Sequence, residues 1–358
     1  MIYVYLIIQE DDIMKKITAF VLTAVLLVGL VLLLNGCAST TSGKLANEDT
    51  ELLAYQNIGG VAEITGIGAY PKTDLIIPEE IAGLPVVSVG EDAFEDSMIT
   101  SVVIADSVTD IKANAFRECY NLASITLGNG VERIDYAFSG CDSLNDIYVS
   151  DLSIWCGIDF IDQALLKNSR NLYIDGELIS NNLVIPDGVT SIPRNAFAYC
   201  ESIISVTIPE SVTEIGEFAF SDCTNIEEVT IPDSVSEIGR YAFHNCCNLN
   251  TITLPGALSC IRESTFEGCN NLSSIGMPNC IEEIYDNAFA DCENLFAVYI
   301  PESVTYIGIR AFYNCSNLSE LEIKGDKVSF GHGAFSECYN LSNAKMPDSL
   351  KHDFLYFR

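Results

Sequence analysis

The sequence has few basic residues, and this scarcity excludes one large class of partners. Its 358 residues include 18 Lys and Arg against 50 Asp and Glu, so the formal net charge is -32. Binding to nucleic acid requires clustered Lys and Arg, and an anionic membrane surface attracts the same residues. We therefore expect no nucleic-acid partner and no electrostatic attachment to a membrane surface. The acidity is instead expected to keep an exposed molecule soluble.

The sequence also lacks the residue patterns of catalysis and of cofactor binding. It has three histidines, His244, His332 and His352, which lie in different parts of the chain and show no partner pattern for a Ser-His-Asp or Cys-His arrangement. It contains no P-loop, no dinucleotide-binding glycine motif and no HExxH. The sequence therefore predicts a protein that is not an enzyme and that has no cofactor and no metal site.

What the sequence does contain is one unit repeated at a fixed interval. A phenylalanine recurs every 23 residues, and a cysteine follows three residues after each one. The phenylalanines are Phe197, Phe220, Phe243, Phe266, Phe289, Phe312 and Phe335, and the cysteines are Cys200, Cys223, Cys246, Cys269, Cys292, Cys315 and Cys338. Such a fixed period is typical of a repeat protein.

The spacing of apolar residues inside one unit predicts its shape. Phe220, Cys223 and Ile226 follow at i, i+3 and i+6, which indicates a short helical or 3₁₀ turn with one apolar side. Val229 and Ile231 then alternate with polar residues, as in a strand. One unit alone buries too little apolar surface to be stable, so the units must stack, with their strands in a parallel ladder. We predict a β-rich solenoid with right-handed coils and short helical or 3₁₀ turns.

The repeated words identify a family resemblance. The phrases IPESVTEIGEFAFSDC (208–223) and IPESVTYIGIRAFYNC (300–315) closely resemble the BspA-like leucine-rich repeat of the Treponema pallidum type, a 23-residue class of bacterial surface lipoproteins. The resemblance covers roughly residues 60–347. It implies a leucine-rich-repeat solenoid outside the cytoplasm, and the adhesin-like members of the family imply binding to a protein or a glycan.

The 14 cysteines are interpreted mainly as packing residues. Nine of them occupy one repeat position, since Cys119 and Cys141 extend the row given above. A zinc site requires closely spaced Cys pairs, and a disulfide between stacked neighbours would distort the backbone. We therefore expect this row to consist of buried free thiols. The cysteines outside the row, which we expect to be exposed or bridged, are Cys156, Cys247, Cys260 and Cys280.

The N-terminal region has the features of an exported protein. Residues 14–36 begin with Met14, continue with two lysines and then run through a long apolar stretch, as in a secretory signal peptide. They lead to Leu34-Asn35-Gly36-Cys37, which resembles the bacterial lipobox, and that resemblance implies that Cys37 receives the lipid and becomes the mature N-terminus. An uncleaved transmembrane anchor is the alternative. In both cases the repeats lie outside the cytoplasm.

The pattern divides the remaining chain into segments. The predicted segments are 1–13, an upstream extension that is not part of the natural product; 37–52, a flexible tether; 53–90, an N-terminal cap; 91–347, the repeat solenoid; and 348–358, a short tail. In the tail, either Leu355, Tyr356 and Phe357 fold over the last coil, or the chain belongs to a longer array.

The repeat is interrupted once, at residues 150–184. This segment contains the only tryptophan, Trp155, and the pair Asp175-Gly176, which favours a two-residue type I′ hairpin turn. We interpret the segment as an enlarged coil or a protruding hairpin, with a separate domain as the alternative. Insertions into repeats map to loops on one face, so a ligand-binding role is conceivable here.

The outward strand positions are where a partner would make contact. Thr207, Thr230 and Thr253 form a run of threonines among them, as expected for the packing of a β ladder. Gly276 differs, because it leaves a gap beside Tyr299, and tyrosine is enriched in interfaces. The candidate contact residues are Tyr299, Glu322, Phe296 and Tyr148. Two functions fit the sequence: an adhesin-like binding module on the cell surface, and a passive spacer of the cell envelope without a defined ligand.

Overall fold

The computed structural model describes residues 50–161, 165, 171–352 and 354 of the chain. These residues belong to the second of two compact units, Leu45–Arg358. The first unit, Met1–Lys44, lies outside the described residues, and so do the predicted signal segment, most of the tether and Cys37. None of the helices formed by the described residues is long and apolar enough to cross a membrane.

The strands predicted in the repeats are present, and they stack in an arrangement that we call the main ladder. Val206 faces Val229 and Val298 faces Leu321, so each rung joins equivalent residues of successive repeats. The predicted β-rich solenoid of leucine-rich-repeat type is thereby confirmed. The first sheet of the main ladder contains β3 (Asp74–Ile77), β6 (Ser101–Ile104), β8 (Ser124–Thr126), β10 (Asp146–Val149), β12 (Asn171–Ile174) and β13 (Glu177–Leu178). The second sheet contains β14 (Asn181–Val184), β16 (Ile203–Thr207), β18 (Glu228–Thr230), β20 (Thr251–Thr253), β22 (Ser274–Gly276), β24 (Ala297–Ile300), β26 (Glu320–Ile323) and β28 (Asn343–Lys345).

A second ladder of shorter strands lies on the next side of the coils, and it is divided into three sheets. The first contains β1 (Ala54–Ile58), β2 (Val61–Gly66), β5 (Leu84–Val89) with β4 (Glu80–Ile81) beside it, β7 (Asp110–Ile111), β9 (Arg133–Ile134) and β11 (Asp159–Phe160). The next contains β15 (Ser191–Ile192), β17 (Glu214–Ile215) and β19 (Glu237–Ile238). The last contains β21 (Cys260–Ile261), β23 (Glu283–Ile284), β25 (Tyr306–Ile307) and β27 (Ser329–Phe330). We call the gap between β11 and β15 the first interruption and the gap between β19 and β21 the second.

The phenylalanines of the repeat form the predicted buried column. The rings from Phe197 to Phe335 stack on one another with centroids 5.1 to 5.6 Å apart and almost parallel planes. Phe94, Phe116 and Phe138 stack in the same way before the insertion. Each ring is fully buried, which is worth about 1.5–3 kcal/mol per side chain relative to exposure.

The segment after each phenylalanine consists of short i→i+3 turns and not of a regular helix: the N–H of Cys223 donates to the carbonyl of Phe220 at 3.3 Å, and that of Ile226 donates to Cys223 at 3.1 Å. The residues two before and two after Phe220, which are Phe218 and Asp222, have left-handed backbones with φ of 57° and 59°, and a right-handed helix cannot include them. The N–H of Phe220 consequently donates to the carbonyl of Ala242 in the next coil at 2.8 Å. The turns thus form a third set of hydrogen bonds between coils.

The cysteine row is buried and free, as predicted. Its thiols also have a role that the spacing did not reveal, because eight of the nine, all except Cys200, donate their S–H to the carbonyl of the phenylalanine in the preceding coil. Cys246 donates to Phe220 at 3.2 Å and Cys223 to Phe197 at 2.9 Å. Burial raises the pKa of Cys200 to about 12 and raises those of Cys223 and Cys246 strongly as well.

The prediction for the cysteines outside the row was partly wrong. Cys156 is buried, with 6% of its surface exposed, because it ends a short helix, α1 (Leu152–Trp155), that packs onto the core. Cys247, Cys260 and Cys280 are half-buried. All cysteines within the described residues are unbridged.

Both ends of the described chain cover the core. At the start, β1 folds back antiparallel on β2 through Gly59 and Gly60. At the end, a 3₁₀ turn, Asp348–Leu350, precedes Phe354, whose ring lies 5.2 Å from that of Phe335 and is buried. Leu355, Tyr356 and Phe357, to which the covering role was assigned, lie outside the described residues.

The segment 150–184 adds β11 to the second ladder, ends the first sheet of the main ladder with β12 and β13, and begins the second sheet with β14. β11 continues the second ladder, and β12 pairs parallel with β10. The predicted hairpin is present: β12 and β13 are antiparallel, and Asp175 and Gly176 between them both have positive φ. The main ladder begins again at β14, which pairs with β16 and with no earlier strand of the described chain.

Candidate binding surfaces

The outer face of the main ladder presents a single row of side chains, as the alternation predicted. Thr207 lies beside Thr230, and Thr253 lies beside Gly276 in the ladder register. The threonines of this row are exposed, and they face solvent with nothing packed over them in the described residues. This part of the face is regular and chemically uniform.

At β24 the exposed side chains of the row are no longer threonines. Tyr299 and Phe296 expose 53% and 52% of their surfaces and lie only three residues apart in the chain. Gly276 precedes Tyr299 in the row, and a Cβ added to Gly276 would meet no atom within 4 Å. The space beside the tyrosine is therefore open, as predicted. The hydroxyl of Tyr299 donates to Glu320 at 3.3 Å, and this hydrogen bond raises the pKa of Tyr299.

Glu322 faces Tyr299 across the rung between β24 and β26. It is paired with Lys324, whose Nζ lies 2.6 Å from Oε1 of Glu322, and this contact lowers the pKa of Glu322. The structure thus places Tyr299 and Glu322 on neighbouring strands, and Phe296 directly precedes β24. The pairing with Lys324 was missed, although a lysine two residues away on the same strand face was a readable signal.

Tyr148 does not belong to this group. It lies on β10, in the first sheet of the main ladder, where its ring stacks on Tyr173 with centroids 4.7 Å apart. Sequence reasoning missed Tyr173, because the register inside the insertion was not read. The similar words D-I-Y-V (146–149) and N-L-Y-I (171–174) carried the signal.

An amide row runs along the coils on the turn side. The side-chain Nδ2 of Asn271 donates to Oδ1 of Asn248 at 3.2 Å, and Asn294 donates to Asn271 at the same distance. Asn225 instead bonds the backbone, by donating to the carbonyl of Glu201. The others bond one another, so the row is a structural element.

The first interruption contains the largest change in hydrogen bonding. Trp155 is fully buried, and its Nε1 donates to the carbonyl of Ala196 at 2.8 Å. In a regular coil that carbonyl accepts the backbone N–H of the preceding phenylalanine, as Ala219 accepts from Phe197 at 2.9 Å. The indole therefore replaces a backbone donor. Beside it lies a groove of about 640 Å³ between β11 and β15, which we call the seam groove.

The described residues show no arrangement suited to metal binding. Among them, no three His, Cys, Asp or Glu side chains converge on a point that could hold a metal ion. His244 lies 4.0 Å from Asp222 but belongs to the turn region. These two residues do not form a recognisable catalytic pair with a nucleophile.

The stacked coils, the parallel main ladder and the phenylalanine column define a leucine-rich-repeat solenoid. The family comparison agrees: the BspA type leucine rich repeat region matches in 6 copies, over residues 76–173, 176–295 and 260–352. Because these matches span most of the chain, the chain belongs to the BspA-type leucine-rich repeat family.

Solved structures with this architecture are similar over most of their lengths. A leucine rich cell surface protein from Faecalibacterium prausnitzii is 23% identical, with 89% of this chain and 98% of that chain covered at a TM-score of 0.36. A leucine-rich repeat protein from Eubacterium ventriosum is 20% identical, with 81% and 92% covered at 0.47. The leucine-rich repeat protein of T. pallidum is 22% identical, with 89% and 95% covered at 0.22. The search of curated proteins gave no match.

Proposed function

We propose that this chain is a lipid-anchored binding module on the bacterial cell surface and that it has no enzymatic activity. Its partner is a protein that contacts the outer face of the main ladder around Tyr299. The observation that carries this proposal is the exposure of two large aromatic side chains, Phe296 and Tyr299, beside the open space at Gly276. Interfaces are enriched in such aromatic anchors, and a few of them supply most of the binding energy.

The surroundings of Tyr299 support a protein partner. Glu320, Glu322 and Lys324 surround the ring with polar groups, which resembles the apolar centre and polar rim of an interface. The threonine part of the same face offers no anchor of this kind. A glycan, which an exposed tyrosine ring also suits, is the second candidate ligand.

The experiment uses the fragment 53–358 as bait against proteins and glycans of the host surface and then measures the affinity of each captured ligand. Tyr299→Ala should weaken binding by about 1–2 kcal/mol, which is roughly 5- to 30-fold. Thr253→Ala, in the same row, is the matched control and should leave the affinity unchanged. Both variants should melt like the wild type, because both side chains are exposed.

Equal affinity of Tyr299→Ala and wild type would exclude this face as the contact site. Failure to find any saturable ligand would favour the second function, a passive spacer of the cell envelope.

The anchoring part of the proposal concerns Cys37. A diacylglyceryl cysteine carries two acyl chains, which suffice for stable membrane attachment, whereas a single chain is marginal. In a bacterial host, Cys37→Ala should abolish the incorporation of labelled palmitate and leave a larger, unprocessed precursor. Cys247→Ala is the control and should incorporate label normally. Unchanged labelling of Cys37→Ala would refute the lipid anchor.

A further inference from the structure

The seam groove lies between two strand edges that face each other without pairing. β11 pairs only with β9, and β15 pairs only with β17. Where the second ladder is closed, each strand donates backbone N–H groups to the strand before it: Thr213 donates to Thr190 at 2.9 Å, and Gly216 to Ile192 at 2.8 Å. The same bonds join β11 to β9 but stop at β11.

The groups left over at the groove are therefore backbone donors and acceptors. The register of the closed rungs indicates which groups would bond a strand placed in the groove. The carbonyls of Ile158, just before β11, and of Phe160 on β11 would accept from it, and the N–H of Thr190 would donate to it. Within the described part of the chain, none of these three groups has a backbone partner. Ile158 and Thr190 both line the groove. Such a row of unpaired groups is the template on which a strand from another chain adds.

Pro193 leaves the edge of β15 without one of its backbone donors. It stands where other coils have a residue whose N–H closes the rung, such as Gly216 and Gly239. Proline has no N–H, and in sheets it is confined to edges for this reason. The chain therefore cannot complete this rung with its own preceding coil.

The lining of the groove is acidic. Asp159 and Glu214 are exposed at its rim, and Glu217 is paired with Arg194 at 3.0 Å. Arg133 stands opposite Asp159 on β9 but forms its ion pair with Asp135, so neither Asp159 nor Glu214 has an ion pair within 4 Å among the described residues. In the ladder register, Asp159 and Ser191 would flank one outward side chain of an added strand. The next side chain would point inward between Phe160 and Ile192, which are both buried and apolar.

We propose that the seam groove binds an extended peptide segment in which basic and aliphatic residues alternate, added as a parallel strand between β11 and β15. Its N–H groups bond the carbonyls of Ile158 and Phe160, and one of its carbonyls accepts from Thr190. A basic side chain lies beside Asp159, since oppositely charged cross-strand neighbours stabilise a sheet. The groove volume falls in the range of ligand sites.

A second copy of this chain is not the occupant that the charges favour. The chain has a net charge of -32, so two copies repel each other, whereas a basic segment of another protein is attracted. This site lies in the second ladder, apart from the Tyr299 face of the main ladder. The proposal therefore stands or fails independently of the proposed function.

The test uses the full chain, purified in detergent, and an acetylated, amidated hexapeptide in which two lysines alternate with two valines between terminal threonines. Trp155 is the only tryptophan of the chain, and it lies next to Cys156 in the groove lining. Its emission therefore reports binding at the seam, because the peptide has no aromatic residue. We expect a saturable change in tryptophan emission and protection of the Thr190 amide from hydrogen exchange.

Two peptide controls examine the two parts of the proposal. Replacing both lysines by glutamate should weaken binding at least tenfold through charge repulsion. Methylating the backbone nitrogen of both lysines should do the same by removing the donors, although the charge is kept. If the methylated peptide binds as well as the parent, strand addition is refuted.

Two protein variants locate the site. Asp159→Lys should weaken binding of the parent peptide about tenfold or more. Glu283→Lys changes the same strand position in β23, where the second ladder is closed on both sides, and should have no effect. An equal loss in both variants would mean non-specific attraction to an acidic surface and would overturn the proposal, as would titration without any change in Trp155 emission. Tyr299→Ala should leave peptide binding unaltered.

Discussion

The two interruptions of the second ladder differ in how much of the fold they disturb. At the first, between β11 and β15, the main ladder also ends, and the backbone ladder of the turns gives way to the Trp155 indole. At the second, between β19 and β21, only the second ladder opens. There β18 still pairs with β20, and Phe243 still stacks on Phe266.

Both interruptions nevertheless leave the apolar core continuous. A single cluster of buried residues extends from Leu53 to Phe354 through both places. Burial of apolar surface and hydrogen bonding between coils are therefore separable in this fold. The core depends on the apolar spacing within each repeat, whereas the ladders also require that neighbouring coils have the same length and approach each other equally closely.

The second interruption coincides with a change of residue at one repeat position. Gly216, Gly239 and Gly308 approach the preceding coil so closely that an added Cβ would lie 2.5 Å from a backbone nitrogen. Arg262 stands at this position in the coil after Gly239, and the rung is open there. A Cβ there does not by itself open a rung, because Tyr285 holds the same position one coil later and its N–H donates to the carbonyl of Ile261 at 2.8 Å. Thr265 replaces the usual alanine in the same coil, and its hydroxyl bonds the carbonyls of Arg262 and Gly239. The side chain thus compensates for part of the open rung.

The largest expected effect comes from removing the ring that spans the second interruption. Phe266→Ala should lower the free energy of unfolding by about 3–5 kcal/mol, because the loss of a fully buried ring leaves a cavity. Phe312→Ala, in a coil whose second ladder is closed on both sides, is the matched comparison. If the column compensates for the open rung, Phe266→Ala should cost at least as much as Phe312→Ala.

Chemical denaturation measures the free energy of unfolding of both variants in the fragment 53–358. If Phe266→Ala lowers the free energy of unfolding clearly less than Phe312→Ala does, the phenylalanine column does not compensate for the open rung. The compensating contacts would then be those of the main ladder.

The sequence predicted this column because its evidence is local. A fixed interval of 23 residues and an apolar residue at i, i+3 and i+6 require only short-range reading. The outward position of Tyr299 followed from simple alternation along a strand, and the structure agrees. The hairpin at Asp175-Gly176 likewise followed from two neighbouring residues.

The role of Trp155 could not be predicted in this way. Its partner, Ala196, lies 41 residues further along the chain, beyond a hairpin. No periodic pattern links the two, because the insertion suspends the repeat. The left-handed residues around each phenylalanine were missed for another reason: at Phe218, Tyr241 and Arg310, for example, the residue type gives no sign of a positive φ.

An intermediate effect is expected at the first interruption. Trp155→Phe keeps an aromatic ring but removes the indole N–H, so the buried carbonyl of Ala196 loses its donor at the seam. A buried polar group left unpaired costs about 1–3 kcal/mol. Because repeat proteins are stabilised through contacts between neighbouring units, weakening this single contact should separate the unfolding of residues 50–149 from that of residues 197–338.

Native-state hydrogen exchange measures the two halves separately. Tyr313→Phe is the control: it removes a hydroxyl that bonds Glu337 at 3.0 Å on the surface, between two coils whose second ladder is closed, and should leave both halves coupled. If Trp155→Phe lowers the stability of the whole array in one cooperative step, the seam is no weaker than any other junction, and the contrast between the two interruptions fails.

The smallest effect is expected from a substitution that changes one hydrogen-bonded rung, and it distinguishes the causes of the two interruptions. Arg262→Gly removes the whole side chain at the second interruption and tests whether this side chain, rather than the Cβ that Tyr285 also carries, keeps β21 from β19. Each hydrogen bond formed contributes about 0.5–1.5 kcal/mol. The loss of the exposed Arg262–Glu237 ion pair, at 2.8 Å, costs about 0–1 kcal/mol, and the flexibility of glycine costs about 0.5–1 kcal/mol. Global stability should therefore change by less than about 1 kcal/mol.

The measurable change is local. Hydrogen exchange at the amides of positions 259 and 262 should slow by about tenfold, which corresponds to about 1.4 kcal/mol of protection. Pro193→Gly makes the same kind of substitution at the first interruption and supplies the missing N–H there, yet it should give no added protection to Thr190 or position 193. At the first interruption, the acceptors on β11 belong to the coil after which both the main ladder and the second ladder are interrupted. Protection gained in both variants would show that the two interruptions share a side-chain cause. Protection gained only at position 262 would mean that the Arg262 side chain causes the second interruption and that the path of the chain causes the first.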